Sequence, residues 1–269
     1  MSNGNSTDVG ALFQDAQDDG TLSPQSAMML GDVDVGAQIQ EGLGVSVDDV
    51  QASEVTLVTM LIDDSGSIRM VAGNTEAVRE GHNGVLDALG KTKTKDGILV
   101  HARYLNGTVL YPYRQLVQAT RMDTSNYNPV GATPLFDQTE VILGTVLAKA
   151  REFEDAGVPC RSVTCIVTDG ADAGSQKYRT ARQVAPLVRD ILKTEMHIVT
   201  AMGIDDGSTD FRGIFLEMGI PAEWILTPKN DPSSIRKAFL MVSQSAVRAS
   251  QAAGAAGFSK VAGGGFGNP

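Results

Sequence analysis

Five oxygen-bearing side chains sit where the ends of buried strands are expected. Asp63, Ser65 and Ser67 alternate directly after the apolar run at 55–62, and Asp169 follows a second such run at 161–168. Thr133 lies in a loop rich in Asn, Pro and Gly, two residues ahead of a stretch with helical periodicity. In an open α/β sheet, ligands bind outside the carboxyl ends of the strands, so these positions can converge. Neither His nor Cys belongs to the set. Hard oxygen donors favour Mg²⁺, Mn²⁺ or Ca²⁺ over zinc or copper, with Mg²⁺ first in expectation. Two carboxylates balance the charge of a divalent ion, and the neutral hydroxyls leave it electron-poor. Mg²⁺ usually keeps waters, which gives an exchangeable position that an incoming carboxylate can fill.

The elements that would position these side chains follow from periodicity. Residues 55–62 form a nearly continuous β-branched and apolar run, the mark of a strand buried on both faces of a parallel sheet. A helix is predicted over 74–89, with Val78, Val85 and Leu89 inward. Gly81 and Gly84 within it would allow close packing or a kink. Strands at 98–105 and 108–111 flank Asn106-Gly107, the strongest short hairpin signal. Helix is predicted over 135–153 and strand over 161–168. The stretch 178–192 reads as helix that Pro186 should kink or divide. A strand at 197–202, a short helix at 210–218 and a short strand at 222–226 follow. A last helix opens at Asp231-Pro232, with Ile235, Phe239, Val242 and Ala246 as its inner stripe. This alternation predicts an α/β fold: a doubly wound, mostly parallel sheet with one antiparallel edge strand and helices on both faces.

Three segments resemble a known family. Asp63-Asp64-Ser65-Gly66-Ser67 resembles the Asp-x-Ser-x-Ser motif of von Willebrand factor A domains. Gly131-Ala132-Thr133-Pro134-Leu135 is similar to the second loop of that family, and Thr168-Asp169-Gly170 to the third. Three motifs in the right order, each after a fitting element, are far more specific than one. The resemblance covers roughly 55–250 and implies a Rossmann-like fold with an intact metal-ion-dependent adhesion site. It implies that Ser65, Ser67 and Thr133 touch the metal directly, and Asp63 and Asp169 partly through water. Asp64 is an added acid that should point away from Asp63, and Ala132 stands where a second glycine is common. The implied function is a metal-dependent protein–protein interaction module that binds an Asp or Glu of a partner. Intracellular bacterial and phage members of this type serve as adaptors for MoxR-type AAA+ ATPases or act in stress-response and conflict systems. The bland alternative is that Asp63 and Asp169 cap helices and Ser65 and Ser67 are loop serines.

Composition bounds the rest. The chain has 269 residues, 42% of them hydrophobic, and a net charge of −10. That charge is local: residues 1–54 hold ten acids and neither Lys nor Arg, and the remainder is neutral. The acidic segment reads as a solvated face with short helices, one of them capped by Ser23 with Pro24 at its first position. A docking arm is the sharper reading, and one of its carboxylates closing the metal site a further one. The expected division is an acidic N-terminal segment at 1–52, the domain at 53–250 and a flexible Gly/Ala-rich tail at 251–269. Within that tail Phe258 and Phe266 are candidate anchors in a partner groove. Nucleic-acid binding is not expected, because phosphate contacts need a basic face. No run of about 18 apolar residues exists, so no membrane span is expected. The opening MSNGNSTDVGALF shows no basic and apolar signal pattern, so the expectation is a cytoplasmic protein.

Enzymatic readings have less support. A metal-dependent phosphohydrolase would suit a hydroxyl-lined Mg²⁺ site, but Ser65 stands where haloacid-dehalogenase-type enzymes need a second acid, and no candidate base follows the motifs. Neither a dinucleotide fingerprint nor a P-loop is present. A scaffold with an unused metal site is the third reading. His82, His101 and His197 lie on separate elements and read as structural. Cys165 reads as a buried small hydrophobe, with Cys160 at the strand edge. Asp137 and Asp172 read as helix caps or solvated acids, with support of the site as the alternative.

Overall fold

The computed structural model describes residues 8–251 and 265–266. Six strands form one sheet in the order β3-β2-β1-β4-β5-β6. They are β1 (Val55–Ile62), β2 (Ile98–Tyr104), β3 (Val109–Gln115), β4 (Cys160–Thr168), β5 (His197–Gly203) and β6 (Ile225–Leu226). All neighbours pair in parallel except β3, which runs antiparallel to β2 as the edge strand. The expected fold class is therefore the observed one. Every residue of β1 is buried, because helices cover both faces of the sheet centre.

Among the described residues eight α-helices surround the sheet: α1 (Val9–Asp18), α2 (Pro24–Leu30), α3 (Val33–Leu43), α4 (Asn74–Gly90), α5 (Leu135–Asp155), α6 (Ala185–Lys193), α7 (Phe211–Glu217) and α8 (Pro232–Gln251). On one face α4 and α8 lie side by side. Gly81 makes that approach possible, since a Cβ there would stand 2.2 Å from the Phe239 ring. On the other face α5 crosses β1 and β4, with α6 beside it and α1–α3 outside.

The predicted helix over 178–192 needs correction. It begins only at Ala185, after a single 3-10 turn at Ala181–Gln183, and Pro186 sits in its first turn rather than at a kink. The backbone before it is held elsewhere: the Asp137 carboxylate accepts the N–H groups of Gln176, Lys177 and Tyr178. A first turn needs no donor at Pro, which fits its placement.

The acidic N-terminal residues fold onto the domain. Phe13, Leu30 and Ile39 are buried within the same core cluster as Val58 and Met60. The acids face outward and do local work. Asp8, Asp32 and the hydroxyl of Ser23 cap α1, α3 and α2. Asp19 pairs with Arg151 at 2.7 Å and Asp32 with Lys177 at 3.6 Å. Most of the predicted tail falls outside the described residues, Phe258 included. Phe266 is described and buried against Trp224 of its own chain.

If α1–α3 belong to the core, Ile39→Ala should destabilise the full chain by about 2–5 kcal/mol in urea unfolding, as a fully buried truncation does. An unchanged midpoint would mean that the segment is only tethered.

Candidate metal centre

The site lies where the chain changes direction in the sheet. From β1 it builds β2 and β3 on one side, then crosses to β4 on the other. The carboxyl ends of β1 and β4 lie side by side, with Ile62 opposite Val167 and the Asp63 N–H donating to the Val167 carbonyl at 2.9 Å. A crevice at such a switch point is the usual ligand position in an open α/β sheet.

Asp63 is fully buried and ties the two strand ends together. One carboxylate oxygen accepts the Ser65 N–H at 2.7 Å. The other accepts the Thr168 hydroxyl at 2.6 Å and the Asp169 N–H at 3.2 Å. The Ser65 and Ser67 hydroxyls lie 2.8 Å apart. Both donate to Asp169 Oδ1, at 3.3 and 2.6 Å. Four of the five predicted residues thus form one hydrogen-bonded cluster. Thr133 is 5% exposed and stands beside it, its hydroxyl 3.5 Å from where a Cβ on Gly170 would be. The second loop is knitted to the first through the Gly66 N–H to the Gly131 carbonyl at 3.3 Å.

Electrostatics mark the cluster. Burial pushes the Asp169 carboxyl up to about 6; the Ser67 hydroxyl opposes the shift and the charge of Asp63 adds to it. Burial likewise pushes Asp64 up to about 6, against the Asn106 N–H and with help from Asp63. These carboxylates meet hydrogen-bond donors rather than cationic side chains in the contacts above. Buried negative charge of this kind calls for a counter-charge.

Several supporting residues carry no sequence motif. The Asp64 carboxylate turns to the hairpin and accepts the Asn106 N–H at 3.0 Å, while its carbonyl accepts the N–H groups of Val130 and Gly131. Residue 64 therefore pins two loops, the hairpin through its carboxylate and the second loop through its backbone carbonyl. Tyr127 is fully buried and donates to the Asp63 carbonyl at 2.6 Å. Burial and the charges of Asp63, Asp64 and Asp169 hold its phenol well above the ordinary value, so it remains a donor. The sequence signal was an aromatic residue in a loop otherwise built of turn formers. Asp172 and Ser175 cap the first turn of α5 from the third loop, through the Phe136 and Asp137 N–H groups.

The histidines lie elsewhere. His82 pairs with the Tyr111 hydroxyl, His101 with the Tyr111 carbonyl and His197 with the Ser162 hydroxyl. Burial pushes them down to about 4, 3 and 4, so all are neutral at pH 7. Burial raises both cysteine thiols, Cys165 to about 12, which makes them inert.

No family model matches the chain, and no curated protein matches it. Solved structures do. The pilus adhesin SpaC from Lactobacillus rhamnosus GG, in its open conformation, superposes with a TM-score of 0.54 at 13% identity, over 74% of this chain and 31% of that one. Proximal thread matrix protein 1 from the mussel byssus gives 0.51 at 17% identity, over 72% and 46%. A von Willebrand factor type A protein from Catenulispora acidiphila gives 0.46 at 18% identity, over 72% and 43%. This chain spans less than half the length of each. At such identities the first two likenesses show the fold and nothing further.

Among the described residues no group of three or more His, Cys, Asp or Glu side chains is placed to hold a metal. The present cluster is of another kind, with two carboxylates and three hydroxyls. Its donor chemistry fits a hard divalent cation.

The raised pKa of Asp169 has a consequence for the metal-free protein. Below about pH 4 the carboxyl is protonated in both folded and unfolded chains. Between about 4 and 6 only the unfolded chain gives up its proton, so stability falls as pH rises. Above about 6 the whole cost, about 3 kcal/mol, is present. In EDTA, Asp169→Asn should therefore match wild type near pH 4 and exceed it in urea midpoint near pH 7. Parallel pH profiles for the two proteins would contradict the assignment.

Proposed function

We propose that this chain is a metal-dependent protein-interaction module, in which Asp63, Ser65, Ser67, Thr133 and Asp169 hold a divalent cation that grips an Asp or Glu of a partner. The observation that carries the reading is the meeting of two buried carboxylates and the serine hydroxyls at the ends of β1 and β4, one carboxyl being pushed up to about 6. A divalent cation offsets that charge. The oxygen set favours Mg²⁺, with Mn²⁺ and Ca²⁺ as the other hard ions. When bound, the ion supplies a Lewis-acidic point for an incoming carboxylate.

The protein's own residues divide the labour. Asp63 is committed to three hydrogen bonds, so its role is to hold the loops and balance charge. Ser65, Ser67 and Asp169 present oxygens on one side, and Thr133 presents its hydroxyl from the second loop. Three neutral donors leave the bound ion short of negative charge, which favours an acidic partner group over water. Among the described residues no helix is long and apolar enough to cross a membrane. The partner we propose is a protein with an exposed acid, in the manner of an adaptor for a MoxR-type AAA+ ATPase or for a stress-response or conflict system.

Two measurements test this. Calorimetric titration with MgCl₂ and MnCl₂ should show binding to wild type and at least about tenfold weaker binding to Asp169→Asn, since even supporting groups around a metal cost about 10–100-fold when lost. Pull-down from native lysate should retain partners with Mg²⁺ and release them with EDTA. Asp169→Asn is preferred to Asp63→Ala, which would leave three donors unpaired and confound folding with binding. Capture that survives EDTA, or that Asp169→Asn matches, would defeat the proposal.

A further inference from the structure

At the far edge of the sheet, β6 is only two residues long and leaves a groove between itself and α8. With Phe266 as part of its wall, the groove measures about 780 Å³. Ile225, Leu226, Ala238 and Met241 give it an apolar lining, and Arg212 and Lys237 stand among its polar wall. This place is separate from the strand ends that carry Asp63 and Asp169.

Two residues near the chain's C-terminus are seated at its rim, against Glu223 and Trp224. Phe266 is 8% exposed, and its ring meets Trp224 edge-on, with centroids 5.5 Å apart at 74°. Its N–H donates to the Glu223 carbonyl at 3.0 Å. The Arg248 guanidinium, from the last turns of α8, donates to the Gly265 carbonyl at 3.2 Å. Gly265 itself has φ +101°, and a Cβ there would stand 2.5 Å from the Glu223 carbonyl oxygen. Any other residue at 265 would meet both strain and a clash with backbone. Each part of the dipeptide is thus read separately: the glycine by its missing side chain, its carbonyl by Arg248, and the phenylalanine by the Trp224 face. The backbone bond reaches the 3-10 turn at Ala222–Trp224 that leads into β6.

We propose that the Glu223–Trp224 rim of this groove is a docking site for a Gly-Phe segment, and that its occupant is Gly265-Phe266 of the same chain, joined to α8 through residues 252–264. The rim selects glycine followed by an aromatic residue, and the tether makes the binding intramolecular. The dipeptide recurs in this chain at Gly257-Phe258, which makes the register part of the proposal.

Trp224 is the only tryptophan in the protein, so its emission reports on the Phe266 contact directly. In the full chain, Phe266→Ala should move Trp224 emission to longer wavelength and raise its quenching by acrylamide. Gly265→Ala should do the same, although it alters no side chain that touches the indole. Phe258→Ala should leave both readings at the wild-type value. A synthetic peptide of residues 259–269, titrated through the millimolar range, should return the Phe266→Ala protein to wild-type emission in a saturable way. That range is set by the roughly millimolar effective concentration of a short tether. The same peptide with its Phe replaced by Ala should do nothing. Unchanged emission in Phe266→Ala, or failure of the peptide to restore it, would overturn the docking site. A response to Phe258→Ala instead would overturn the register. A shift in wild-type emission on dilution, together with dissociation of a dimer in light scattering, would place the segment of a second copy at the rim and overturn the intramolecular occupant.

Discussion

The structure turns on one buried carboxylate. Asp63 sits where β1 ends and accepts from the Ser65 N–H, the Thr168 hydroxyl and the Asp169 N–H. Hydrogen bonds to a charged group are each worth roughly 1.5–3 kcal/mol, and leaving their donors unpaired in a buried site costs as much again. The three bonds fix the turn after β1, the end of β4 and the distance between them. That distance sets where Ser65 and Ser67 meet Asp169. A carboxylate so fully engaged can contribute charge to a neighbouring cation while its geometry stays fixed. The side chains of Ser65, Ser67 and Asp169, by contrast, bond to one another.

The second constraint is the position of α5, because Thr133 stands two residues before it. The helix is buried along nearly its whole length, and α3 crosses it from outside. The third loop is fastened to the same helix at several points. Asp137 accepts three N–H groups of residues 176–178. Glu140, buried and raised in pKa by that burial, accepts from Lys177 and from the Tyr178 hydroxyl, both at 2.8 Å. Lys177 in turn reaches the Met29 carbonyl and Asp32. The N-terminal helices, α5 and the third loop are one bolted unit. Acidic residues that composition alone assigns to solvent hold the scaffold from which Thr133 and Asp169 project.

What the sequence revealed follows from how local each cause was. β1 and β4 were legible because burial on both faces demands continuous apolar runs, and Asp63 and Asp169 because they end those runs. The Asn106-Gly107 hairpin was legible because its turn needs those residue types. The start of α6 was not, since the backbone from 176 to 178 is claimed by Asp137, some forty residues earlier in the chain. Asp64 looked like a spare acid, because its task, accepting from Asn106, depends on a hairpin folding back over the first loop. Tyr127 stood out only as an aromatic residue among turn formers, which does not reveal the Asp63 carbonyl it meets. The depth to which α1–α3 enter the core was hidden by ten outward acids, which mask a narrow apolar stripe carried by Phe13, Leu30 and Ile39.

An open sheet must also manage its two edges, since unpaired backbone groups invite other chains. At the β3 edge the problem is solved by the segment after α3: the Val45 N–H donates to the Tyr113 carbonyl at 2.8 Å. Lys149 then fixes that segment by donating to the Val45 carbonyl at 2.7 Å. At the other edge β6 is cut to two residues, and the Phe266 N–H takes the Glu223 carbonyl in the 3-10 turn that leads into it. Both edges are therefore flanked by parts of the chain that lie outside the span of the three loop motifs. With the faces under helices and terminal segments beside both edges, the carboxyl ends of β1 and β4 are where the side-chain oxygens of Asp63, Ser65, Ser67 and Asp169 gather.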